Sequence, residues 1–186
     1  MNCPRWEDVR VDWEDDGALV EVSNSDMTPE DWQRVLDALH SSSWPLELEF
    51  AEGPVPVTAT ELFRGSAEGS YRVVVRPSED VSVHCYAYWS FDSEAPHPTT
   101  IECNFAKSEI RGQPQLDTFC EFVEALGRAV RKPLLVADEG LVHPIMRYEP
   151  ATGELLRLVY EPVPERVGLL ARARALLADR VRSRAS

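Results

Sequence analysis

Val81-Ser82-Val83-His84-Cys85-Tyr86-Ala87-Tyr88-Trp89-Ser90-Phe91 and, a short way on, Ile101-Glu102-Cys103-Asn104-Phe105 are the runs whose reading decides the fold. In the first, Val83, Cys85, Ala87 and Trp89 fall on one side of a strand and His84, Tyr86 and Tyr88 on the other. Neither side is strongly polar, which is the pattern of a central strand. In the second, Ile101, Cys103 and Phe105 alternate with Glu102 and Asn104, the period-two pattern of a partner strand. Pro96-His97-Pro98 supplies a loop between them, so a core hairpin is predicted.

Toward the N-terminus, Tyr71 to Arg76 reads as a strand closed by Pro77. Leu46, Leu48 and Phe50 alternate with Glu47 and Glu49, giving a half-exposed antiparallel strand with an acidic outer face. Gly53, Pro54 and Pro56 interrupt the chain, and Val55 to Thr60 reads as an edge strand, where proline is tolerated. Thr28-Pro29-Glu30-Asp31 has a capping residue, a proline at the first helical position and acids in the first turn. The helix it starts places Trp32, Val35, Leu36 and Leu39 on one face and stops at Ser41 to Ser43. Val9, Val11 and Trp13 alternate with polar residues, Asp16-Gly17 offers a turn, and Leu19 to Val22 continues, so an opening β-hairpin is expected.

Toward the C-terminus, Leu116, Phe119, Val123, Leu126 and Val130 recur at helical steps between Pro114 and Pro133. Leu134 to Ala137 reads as a short strand. Pro144 to Tyr148 and Glu154 to Tyr160 flank Pro150-Ala151-Thr152-Gly153 as a hairpin. Val167, Leu170, Ala173, Leu177 and Val181 predict a last helix over about 165–181, with a frayed tail after it. The sum is an α+β fold: a mainly antiparallel or mixed sheet of about six to eight strands against about three helices. The 186 residues are 44% hydrophobic and 27% charged and contain no repeat or long linker, so one globular domain over 1–186 is expected.

The net charge is −13, and residues 1–80 hold 18 acidic against 6 basic side chains. Such a field repels phosphate backbones and anionic lipid and attracts cationic partners, so nucleic-acid and membrane partners are disfavoured. The apolar runs are far shorter than a membrane span, and Met1 to Asp8 has no secretory pattern, so a cytoplasmic address is expected. Cys3, Cys85, Cys103 and Cys120 show no close pairing and read as reduced thiols.

Motifs carry little chemistry. Asp12 to Gly17 imitates the start of a calcium loop, but Ser23 stands where the twelfth-position carboxylate belongs. His84, His97, His143 and the cysteines lack any spacing that gives two metal ligands from one rigid element, and no cofactor fingerprint occurs, so no metal or cofactor is expected. Glu47 and Glu49 would stand about 7 Å apart on one strand face, a distance two catalytic carboxylates could use, though a solvated face explains them equally. The stripe His84, Tyr86, Tyr88 suits recognition, yet a second core layer under a helix is the plainer expectation. The terminal arginines Arg166, Arg172, Arg174, Arg180, Arg182 and Arg184 are expected to pair with the acidic part of the same chain.

Two readings of function follow. One is a non-catalytic protein-binding domain that masks a basic partner, in the manner of an immunity protein neutralising a toxin. Its contact residues would be Glu14, Asp15, Asp16, Glu47, Glu49 and Glu52, with Tyr86 and Tyr88 as anchors. The other is a small-molecule-binding module or unfamiliar enzyme with a pocket around His84, Tyr86, Tyr88 and Trp89.

Overall fold

The structure, a computed structural model, describes residues 3–50, 52–68, 72–89, 95–139 and 144–158. The predicted helix over 165–181 and His143 lie outside the described residues. The core hairpin forms as expected from β4 (Val83–Tyr88) and β5 (Thr100–Ala106), with Cys85 opposite Cys103. Alternation then recruits β1 (Leu19–Asn24) to the free edge of β5 and β6 (Leu134–Asp138) to β1. The remaining strands are β2 (Leu46–Glu49), β3 (Arg72–Val75), β7 (Met146–Glu149) and β8 (Glu154–Arg157). All eight make one antiparallel sheet in the order β2-β3-β4-β5-β1-β6-β7-β8. The fold is α+β.

One face of this sheet is buried under helices. Val20, Val22, Val73, Val75, Val83, Ile101, Cys103, Phe105, Val136 and Tyr148 point into a core shared with α2 (Pro29–Ser41) and α4 (Gln113–Val130). Each such side chain contributes about 1.5–3 kcal/mol by leaving water. α2 starts as predicted, with Thr28 Oγ1 accepting from the Asp31 amide and the Asp31 carboxylate accepting from the Thr28 amide. On α4, Phe119 meets Trp13 and Phe105 edge-on, both at 4.8 Å between ring centroids. Gly127 lets the Tyr148 ring lie against the helix: a Cβ there would fall 2.1 Å from that ring.

Three expectations are corrected. The opening hairpin is absent: Trp6–Val9 is a short helix, α1, running into a 3-10 turn over Arg10–Trp13. Val9 and Trp13 are four residues apart and both buried, while Val11 is 60% exposed, so helical spacing prevails over the alternation the same residues also fit. The edge strand at Val55 to Thr60 is likewise absent. Thr58 Oγ1 accepts from the Glu61 amide and the Glu61 carboxylate accepts from the Thr58 amide, a capping box that starts α3 (Ala59–Glu68). Finally, Cys3 and Cys120 are not reduced thiols but a disulfide linking the N-terminal segment to α4, with Cα atoms 5.9 Å apart. Cys85 and Cys103 are free. Disulfides persist chiefly in oxidising compartments, so the cysteines lend no support to the expected cytoplasmic address. Among the described residues no helix is long and apolar enough to cross a membrane.

Candidate functional site

The second face of the sheet is built from the other set of alternating residues, and no described α-helix packs on it. Across the middle strands the register brings Glu47, Val74, His84, Asn104 and Glu21 into one row and Glu49, Arg72, Tyr86, Glu102 and Ser23 into the next. The helix-covered second layer expected beneath His84, Tyr86 and Tyr88 is therefore not what the described residues form. His84 and Tyr86 are half-buried and Tyr88 is 37% exposed. The pleat places them there: Val83, Cys85 and Ala87 turn to the packed core, so His84, Tyr86 and Tyr88 fall on the opposite side.

Tyr86 and Tyr88, two apart on β4, stack with ring centroids 5.5 Å apart and planes within 8°. Arg72 holds Tyr86 in place, donating from Nη1 to the phenol oxygen at 2.9 Å while pairing with Glu49, and its guanidinium covers the exposed Phe50 ring at 4.7 Å. Among the described residues no cation lies over Tyr88. Burial, with Glu102, Tyr86 and Glu21 nearby, pushes its hydroxyl pKa up to about 12. Burial and the neighbouring Glu102 and Glu139 also raise the Glu21 carboxyl above its ordinary value. No described Lys, Arg or His forms an ion pair with Glu21 or Glu102. Among the described residues, the two acids thus stand beside Tyr88 without an ion-pair partner.

Beside them lies a pocket of about 190 Å³ lined by Arg72, Ser82, His84, Tyr86, Asn104 and Glu109, among others. Glu109 accepts from the Ser82 amide at 2.8 Å and from its hydroxyl. Asn104 is buried and donates from Nδ2 to Glu102 at 3.0 Å, leaving Oδ1 without a partner; His84 Nδ1 is also buried and unpartnered. Burial first, then the Arg72 charge, lowers the His84 pKa, so the ring is neutral at neutral pH. Two buried polar atoms without partners in one pocket are uncommon; Asn104 Oδ1 calls for a donor, and His84 Nδ1 for a donor or an acceptor according to its tautomer.

The acids named from sequence do not form one patch. Asp15 and Asp16 cap their own turn through the Gly17 and Ala18 amides, and Asp16 also pairs at 3.2 Å with buried Lys107, which Asp138 holds from the other side at 3.1 Å. Glu14 and Asp15 line a broad groove beside α1 together with Arg10 and Arg111, a surface of mixed sign. Four strand spacings away on edge strand β2, Glu47 pairs with Arg76 at 3.3 Å and Glu49 with Arg72. Glu52 is exposed beyond the end of that strand. Tyr86 and Tyr88 both lie on this face of β4, and Trp89 follows them just past the strand. Sequence reasoning missed Glu21, Glu102, Asn104 and Arg72. Their alternation was visible, but only strand pairing puts Glu21 across from Asn104 and Ser23 across from Glu102.

Among the described residues no three His, Cys, Asp or Glu side chains gather where a metal ion could sit. Compared with known proteins, the chain matches no family model, no curated protein and no solved structure. The site therefore has to be read from its own chemistry.

Proposed function

We propose that this is a binding protein whose open sheet face receives a cationic group, such as the arginine or lysine side chain of a basic partner. The observation that carries the reading is the cluster of Glu21, Glu102 and Tyr88, whose two carboxylates form no ion pair among the described residues, beside Tyr86, which Arg72 holds. A guanidinium or ammonium over the Tyr88 ring gains a cation–π contact of about 0.5–2 kcal/mol and relieves the mutual repulsion of the two carboxylates. The net charge of −13 adds long-range attraction for a basic partner. Compared with the contact set expected from sequence, this reading keeps Tyr86 and Tyr88 as anchors. It moves the acidic contribution from the turn at Glu14 to Asp16 onto strands β1 and β5.

Titration with a hexa-arginine peptide tests it. Binding is expected at low ionic strength, to weaken about tenfold or more in E21Q/E102Q, and to fall steeply with salt. Affinity that ignores both salt and the double substitution would sink the proposal. A second reading, a small-molecule module, is favoured by the orphaned Asn104 Oδ1 and His84 Nδ1 in their pocket. A neutral hydrogen-bond donor whose binding N104L abolishes but E21Q/E102Q leaves intact would favour that reading instead.

A further inference from the structure

Asn104 belongs both to the acid cluster and to the pocket beside it. It is 9% exposed, stands directly across from Glu21 on β1 and from His84 on β4, and donates from Nδ2 to Glu102 at 3.0 Å. That bond fixes the amide, because turning it over would set Oδ1 against the Glu102 carboxylate, acceptor facing acceptor. Oδ1 is therefore the atom left without a partner, in a residue that walls the pocket of about 190 Å³.

The row of His84, Asn104 and Glu21 crosses three adjacent strands, each about 4.8 Å from the next. It joins an unmet amide oxygen to a carboxylate that no described Lys, Arg or His pairs with, and Glu102 stands in the adjoining row. Arg72 also lines the pocket, but Glu49 meets its charge, and Glu109 on the same wall accepts from Ser82. His84 is neutral at neutral pH, so the row adds no positive charge of its own. Such a set accepts several N–H donors in fixed directions together with one positive charge. A guanidinium supplies both: five donors in a rigid planar fork, with weak hydration that eases entry into a pocket. An ammonium is a compact, strongly hydrated point charge with three donors on a flexible stem.

We infer that the seat selects guanidinium over ammonium and that Asn104 is its specificity-determining residue. An arginine head donates to Asn104 Oδ1 while its other N–H groups reach the Glu21 and Glu102 carboxylates, so the partner supplies the hydrogen bond missing from the pocket. A lysine head meets the carboxylates and leaves Oδ1 unmet. The inference rests on the cation seat proposed above and names the class of cation it takes. A hydrogen bond from a charged donor to a buried acceptor changes affinity by about tenfold or more, and a site built around such a bond rejects the analogue that cannot make it.

Three peptides titrated into the full chain at low ionic strength test it. Hexa-arginine and hexa-lysine carry equal charge, so the field of the protein attracts both alike, yet hexa-arginine should bind about tenfold more tightly. Hexa-arginine with each guanidinium asymmetrically dimethylated keeps its charge but loses N–H donors, and should bind about tenfold more weakly than the unmodified peptide. N104L should bring hexa-arginine down to the affinity of hexa-lysine and leave hexa-lysine unchanged, which also shows that the variant is folded at the seat. An arginine preference that persists in N104L, or that dimethylation leaves undiminished, overturns the selection. Should N104L bind neither peptide, the wild-type comparison of the three decides. If hexa-arginine and hexa-lysine bind wild type alike and E21Q/E102Q weakens both, the selection fails and the seat stands. If neither binds wild type, the seat fails and the inference with it.

Discussion

The two faces of the sheet are made by the same strands and alternate residue by residue, yet they obey different rules. On the covered face, Val20, Cys103 and Phe105 are wholly buried, and packing against α2 and α4 sets the energy. On the open face, Glu21, Glu102 and Asn104 occupy the intervening positions, and charge and unmet hydrogen bonds set it. One face is closely packed; the other keeps half-buried carboxylates and unmet hydrogen bonds, groups that cost stability.

Substitutions should separate the faces by magnitude. Phe119→Ala, at the crossing of Trp13 and Phe105, is expected to cost about 4 kcal/mol in urea unfolding; a loss under about 1 kcal/mol would break the picture of a close-packed covered face. Cys3→Ser should cost about 3 kcal/mol by freeing a loop closed across 117 residues, and adding reductant should lower the wild-type Tm to that of the variant.

Asp31→Asn should cost about 2 kcal/mol at neutral pH. Burial opposes ionisation of Asp31, but Lys132 at 2.8 Å and the Thr28 bonds outweigh it and leave the carboxyl below its ordinary value. Its stabilisation is therefore present above the unfolded-state pKa of about 4 and lost as pH falls through the folded value. Unfolding curves down to acid pH should show wild type converging on the variant. Glu21→Gln is the smallest and carries the opposite sign. A raised carboxyl pKa makes the ionised form a penalty, present above the folded value and absent below about 4. The variant should gain a few tenths of a kcal/mol at neutral pH, and the gain should vanish on acidification. A loss at neutral pH would mean that Glu21 already has a cation.

The sheet was readable where two independent signals agreed. At Thr28 to Leu39, cap, proline and apolar stripe coincide, and the helix forms as predicted. The run from Trp6 to Trp13 offers one short signal, since Val9 and Trp13 suit a helix and Val9, Val11 and Trp13 suit a strand; packing on Phe119 decided it. Thr58 and Glu61 carried a capping-box signature that the neighbouring prolines obscured. The disulfide was illegible because its partners are distant in sequence and nothing local to Cys3 marks α4 as its neighbour.

For the site, alternation on β4 was enough to place Tyr86 and Tyr88 on one side, because side-chain direction follows from the period of a strand alone. Sequence by itself also determined the α+β class, the acidity and the polarity of each strand face. Only the tertiary structure decided which carboxylates meet. Glu21 and Glu102 come together through the antiparallel register of β1 on β5, and Glu47 and Glu49 are removed from play by Arg76 and Arg72. Pairing between strands is a non-local choice, made by the whole core at once, so no local pattern of charge could announce it.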